Sequence, residues 1–113
     1  MKIPSLNCKG LASPAKKLSL KRLVFVNNPD IIFLHETMGV SEVVVRSLET
    51  LLHGWSFVEV DAKGRSRVLA IGWRLKSGRC DSVWDFDLGV DLILFSEELG
   101  CALVLINIYG PYA

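Results

Sequence analysis

Residues 31–37, reading IIFLHET, leave this chain few ways to fold. Four apolar residues run into His35, Glu36 and Thr37. Turn residues bound the run on both sides, Asn28-Pro29-Asp30 before it and Gly39 after it. A short apolar run so bounded is the pattern of an interior strand in a covered sheet. Its last residues bring a carboxylate to the strand end. An unpaired buried carboxylate costs several kcal/mol unless it is neutralised, paired or bound to a metal. Ligands in open α/β sheets gather at the carboxyl ends of strands. Glu36 is therefore a candidate functional group, and the plain alternative is that it caps the following loop.

Around this strand the order of elements can be followed by period. Residues 2–7 alternate as a first strand, with Ile3, Ser5 and Asn7 on one face. Pro4 suits only an edge or a strand start, because proline has no ladder donor. Ser13-Pro14 starts a helix, a capping residue followed by proline at the first helical position. In that helix Leu20, Leu23 and Val24 share one face, while Lys16, Lys17, Lys21 and Arg22 cover the other. The basic face is either a solvated surface or a phosphate-contacting patch. Asn27-Asn28-Pro29 stops the helix. Ser41-Glu42 starts a second one, with Val44, Leu48, Leu51 and Leu52 at helical spacing and Gly54 at the stop. His53 falls in its last turn and is read as a structural residue.

From Trp55 the period becomes two. Strands are expected at 55–60, 68–73, 84–87, 92–95 and 101–109, with turns at 61–66 and 97–100. The order β-α-β-α followed by hairpins predicts an α+β fold: one mixed, largely antiparallel sheet with two helices on one face. Residues 31–34, 68–73 and 102–106 are apolar on both faces, as in sheets covered on both sides. Two helices cover only one face. The other is expected to be covered by further chain or by a partner.

Composition narrows the function classes. The chain has 113 residues, half of them apolar, which allows one domain or part of one. Mean hydropathy is +0.36, yet no run reaches the roughly 18 apolar residues of a membrane span. The amino terminus does not resemble a signal peptide, so a nuclear or cytoplasmic, non-secreted protein is expected. Cys8, Cys80 and Cys101 contain no C-x-x-C pair, which favours reduced thiols over a disulfide frame or zinc site. The two histidines have no metal-ligand spacing. A net charge of +1 says little about partners.

Three segments carry a resemblance. Residues 2–11, KIPSLNCKGL, resemble the K-I-x-S-W-N-C-R-G-L opening of the endonuclease/exonuclease/phosphatase superfamily, the DNase I-like fold. Residues 29–37, PDIIFLHET, are similar to its P-D-I-x-x-L-Q-E-T segment, and residues 107–112, NIYGPY, to its N-x-Y-x-P segment. The wording is most similar to the endonuclease domain of plant LINE-type (non-LTR) retrotransposon polyproteins. The resemblance implies a metal-dependent phosphodiesterase acting on DNA, on a four-layer fold of which residues 1–113 would be the amino-terminal half. By matching motifs, Asn7 and Glu36 would hold Mg²⁺ (or Mn²⁺), and Tyr109, with Asn107 on the same strand face, would line the site near the scissile phosphate. Such a metal takes oxygen donors and one or two carboxylates, and polarises a phosphoryl oxygen.

The departures limit what is implied. Leu6 stands where the superfamily has Trp, and His35 replaces Gln on the strand face opposite Glu36. Where relatives carry G-R-S-G-G, this chain reads Gly64-Arg65-Ser66-Arg67-Val68, and Lys63, Arg65 and Arg67 are candidates for nucleic-acid backbone contact or simply an exposed basic turn. Neither the D-x-N nor the S-D-H segment of the superfamily's second half is present. Without them, positioning and charge stabilisation are incomplete, so the chain alone is expected to be inactive. The alternatives are a non-catalytic remnant or interaction module, and a relative acting on another phosphodiester such as a phosphoinositide or RNA.

Overall fold

The computed structural model describes residues 2–8, 13–35, 37, 41–61, 68–86 and 89–108, with positions 41–43, 60, 61, 68, 85 and 86 described by backbone alone. Among the described residues the chain forms β1 (Ser5–Asn7), α1 (Pro14–Asn27), β2 (Ile31–His35), α2 (Ser41–Leu51), β3 (Trp55–Asp61), β4 (Val68–Arg74), β5 (Arg79–Phe86), β6 (Gly89–Ser96) and β7 (Cys101–Ile108). The α+β class and the element order agree with the expectation from sequence.

The single sheet does not. The strands form two, a four-stranded sheet in the order β1-β2-β4-β3 and a three-stranded sheet in the order β5-β6-β7. In the first, β1 runs parallel to β2 while β4 is antiparallel to both its neighbours. Both pairings of the second sheet are antiparallel. Alternation along β2 and β4 sends two sets of apolar side chains to opposite faces. Ile32, Leu34 and Ala70 pack with Trp55 and Phe57 under the helix residues Leu20, Val24, Val44 and Leu48, joined by Leu52 just past α2. Ile31, Leu69, Ile71 and Trp73 pack on Val90, Leu92, Leu94 and Leu105 of the second sheet. The cover expected from elsewhere is thus supplied by the chain's own hairpins. A strand that is apolar on both faces announces two covers without saying which residues provide them.

Local chemistry places the ends of the central strand. Asn28 takes a left-handed conformation, φ 47°, and donates its backbone N–H to Val24 O to close α1. Arg74 donates to Pro29 O at 2.8 Å and to Asn28 Oδ1 at 2.9 Å, and its guanidinium lies 4.9 Å from the Trp55 ring centroid. Asp30 accepts from Ser77 Oγ and the Lys2 backbone N–H. The start of β2 is therefore pinned from three directions. Regular pairing in β1 begins only at Ser5, although Lys2 O and Pro4 O already accept from Asp30 and Phe33. β1 is an edge strand, as Pro4 requires. Ser13 stays extended before Pro14 but makes no side-chain cap. β5 begins earlier than its aromatic residues suggested, since Arg79 and Asp81 are polar positions at a strand edge with a bulge between Cys80 and Ser82.

The outer face of the second sheet leaves apolar surface open, as Phe25 and Val26 do near the end of α1. Trp84 is 68% exposed, Val104 65%, Ile106 48% and Ile108 51%. By register all four lie on the face turned away from Val90, Leu92 and Leu94. An exposed apolar surface of this kind marks an interaction face. The chain is expected to bind a hydrophobic dye, and the pair Trp84→Lys with Val104→Lys to suppress that fluorescence while shifting stability by less than about 0.5 kcal/mol. An unchanged dye signal in the double variant would place the dye elsewhere.

Candidate functional site

Parallel pairing of β1 with β2 sets Asn7 opposite His35 at the carboxyl ends of both strands. Leu6, partnered with Leu34, turns toward the helices and packs against their core. Asn7 consequently shares the His35 face, the one that looks toward the second sheet. The backbone N–H of Cys8 donates to His35 O at 2.8 Å and holds the two strand ends together. Asn7 is exposed. It also lines a cleft of about 190 Å³ with Leu6, Cys8, Lys16 and Ser19. Lys16 belongs to the basic face read from the sequence, and only the tertiary structure brings it beside the first strand.

The second sheet contributes Asn107 from β7. This residue is 1% exposed and its amide is engaged at both ends. Its Nδ2 donates to Ala70 O at 3.0 Å in the first sheet. That orientation turns Oδ1 toward His35, whose Nε2 lies 2.5 Å away and donates to it. Because Asn Oδ1 can only accept, Nε2 must carry the hydrogen in this contact. Asn107 is thus a polar link between sheets at the rim of their apolar core, beside the strand ends that carry Asn7 and His35. His35, which replaces the superfamily's Gln on the face opposite Glu36, is not among the residues expected to hold the metal. The structure assigns it the positioning of Asn107, and no spacing rule could have paired residues so far apart.

Thr37 is fully buried and its Oγ1 donates to Glu59 Oε2 at 2.9 Å, tying the chain beyond β2 to β3. Glu36, Tyr109, Lys63, Arg65 and Arg67 lie outside the described residues. Among the described residues no group of three or more His, Cys, Asp or Glu side chains could hold a metal ion. The described part of the candidate ligand set is the Asn7 side chain, an oxygen donor of the kind Mg²⁺ accepts. Cys80 is not set up as a thiolate: burial first, then the Asp81 carboxylate, push its thiol up, against a smaller downward effect of its contact with Ser82 O. A thiol held protonated is a poor nucleophile.

Removing Asn107 should expose the value of the link. Asn107→Ala leaves the Ala70 carbonyl and His35 without this partner and is expected to cost about 1–3 kcal/mol in urea unfolding. In a double-mutant cycle His35→Ala should couple to it by about 0.5–3 kcal/mol. Additive effects would mean the two side chains act independently.

No protein-family model matches the chain, and no curated protein matches it. Solved structures do resemble it. A mannosyl-6-phosphatase from Bacteroides thetaiotaomicron superposes with a TM-score of 0.73 at 14% identity, covering 94% of this chain and 50% of that one. An endonuclease/exonuclease/phosphatase family protein from the same organism gives 0.70 at 12% identity, over 94% of this chain and 47% of its own. The AP endonuclease of Leishmania major gives 0.67 at 19% identity, over 93% and 38%. The chain spans about half the length of the first two. Two helices and two face-to-face sheets thus give this chain the DNase I-like fold shared by these proteins, over 38% to 50% of their extent.

Proposed function

We propose that this chain is part of a metal-dependent phosphodiesterase, a DNA endonuclease of retrotransposon type, whose site is incomplete within residues 1–113. One observation carries the reading. The ends of β1, β2 and β7 meet at one rim of the sheet–sheet core, with Asn7, His35 and Asn107 around it. Two of the superposed structures are named for a phosphatase and an AP endonuclease, which supports phosphate-ester chemistry on this fold. Asn7 and Glu36 would hold Mg²⁺ or Mn²⁺. Such an ion polarises a phosphoryl oxygen and stabilises developing charge. Tyr109, two residues beyond Asn107 in the N-x-Y-x-P segment, would position the phosphate. Lys63, Arg65 and Arg67 would touch the DNA backbone.

A second reading rests on the open face of the second sheet, the surface of an interaction module. Trp84 and Asp91 are cross-strand neighbours there, and Asp91 Oδ1 is buried without a hydrogen-bond partner. A cover for this face, whether the remaining half of the fold or a separate protein, would have to bring a donor to Asp91 as well as apolar area, because an unsatisfied buried oxygen is costly.

Metal binding can be followed without turnover. Titrated Mn²⁺ should broaden the amide NMR signals around Asn7 and Glu36, and Glu36→Ala should abolish that broadening. Broadening that is absent, or that survives the substitution, removes the metal assignment. Mixed with supercoiled plasmid and Mg²⁺, the chain alone is expected to produce no nicks above background. Nicking that depends on Mg²⁺ and on Glu36 would show instead that residues 1–113 hold a complete site.

A further inference from the structure

Lys17 and Lys21 on α1 and Arg46 on α2 line an open groove of about 520 Å³ between the two helices, with Ser47, Thr50 and Leu51 along its walls. The groove lies on the helix layer, on the other side of the first sheet from the rim that holds His35 and Asn107. No carboxylate is among these lining residues. None of the three cations pairs with one among the described residues. α1 carries Lys16, Lys17, Lys21 and Arg22 across Pro14–Asn27 and not one acidic residue, although the whole chain is balanced to +1.

Folding alone does not account for this arrangement. Lys17 and Lys21 are four residues apart, so they stand one turn above another and repel. The first turn of α1 has no acidic residue and no side-chain cap, so the positive end of its dipole adds to the same field. Packing is no explanation for Lys21 and Arg46, which are exposed. Three cations without an ion pair among the described residues, lining a groove with Ser47 and Thr50, have the chemistry of a phosphate receptor.

The form of the groove selects among phosphates. A small phosphorylated molecule is usually held in an enclosing pocket with convergent groups. Here two cations follow one helix and a third faces them across an open trough, which suits a charged strand lying along it. We propose that the α1–α2 groove binds the phosphate backbone of a nucleic acid, at a place separate from the strand-end rim. The site goes beyond the reading above, sharing only its nucleic-acid partner. The two fail separately, because Glu36→Ala is expected to leave groove binding unchanged.

Fluorescence anisotropy of a short labelled DNA duplex tests it. The parent chain should bind with an affinity that falls as salt rises. Lys17→Ala, Lys21→Ala and Arg46→Ala together should weaken binding at least ~10-fold at low salt and lower the salt slope by about 1 for each cation that touches a phosphate. Lys17→Arg with Lys21→Arg should preserve it. Lys76→Ala, an exposed cation in the turn after β4, should have no effect. If the triple variant melts early, Lys21→Gln and Arg46→Gln singly should each weaken binding severalfold in a folded protein. The proposal is overturned if the parent chain does not bind the duplex, if the groove variants bind like the parent, or if Lys76→Ala costs as much as they do. Displacement of the duplex by equimolar inorganic pyrophosphate would also overturn it, in favour of a small phosphate ligand.

Discussion

The contact between the two sheets governs the rest of the molecule. Ile31, Leu69, Ile71 and Trp73 meet Val90, Leu92, Leu94 and Leu105 in a core from which water is excluded. Face-to-face sheets sit about 10 Å apart, a gap that side chains of this size fill from both sides. Without the second sheet, that face of β2 and β4 would be open to water. Burial of each such side chain is worth about 1.5–3 kcal/mol, so the hairpins of β5, β6 and β7 have a strong reason to fold back across the first sheet.

That packing also decides where polar chemistry can occur. Asn107 belongs to the second sheet and His35 to the first, and they meet only because the sheets are stacked in this register. The Asn107 amide is satisfied by Ala70 O and His35 together, which makes a buried polar side chain affordable at the rim. Asn7 arrives at the same level through parallel pairing with β2. A rim built from three strand ends of two sheets has a fixed shape, since each contributor is held by its own ladder.

The two outer faces of this sandwich differ in kind. Helices cover the first sheet, and their own outer surface is cationic along α1. The second sheet exposes Trp84, Val104, Ile106 and Ile108. One surface suits a polyanion and the other an apolar cover, so opposite sides of one small fold face different chemistries. The moderate net charge conceals this, because it sums over sides that never act together.

Much of the order of elements was legible along the chain. Pro14 after Ser13 began a helix, Asn28 before Pro29 ended it, and apolar runs between turn residues marked β2, β4 and β7; each of these signals acts over a few residues, where backbone sterics and local hydrogen bonds decide. The count of sheets was not legible. Ile31 and Ile32 look alike in a sequence, yet one faces the second sheet and the other the helices. The pairing of His35 with Asn107 and the placing of Lys17 and Arg46 along one groove depend on contacts between residues distant in sequence. Period and capping therefore determined which segments become strands and helices. Only the stacking of layers decided which side chains share a core, a rim or a groove, because burial is a property of the assembled surfaces and not of any one segment.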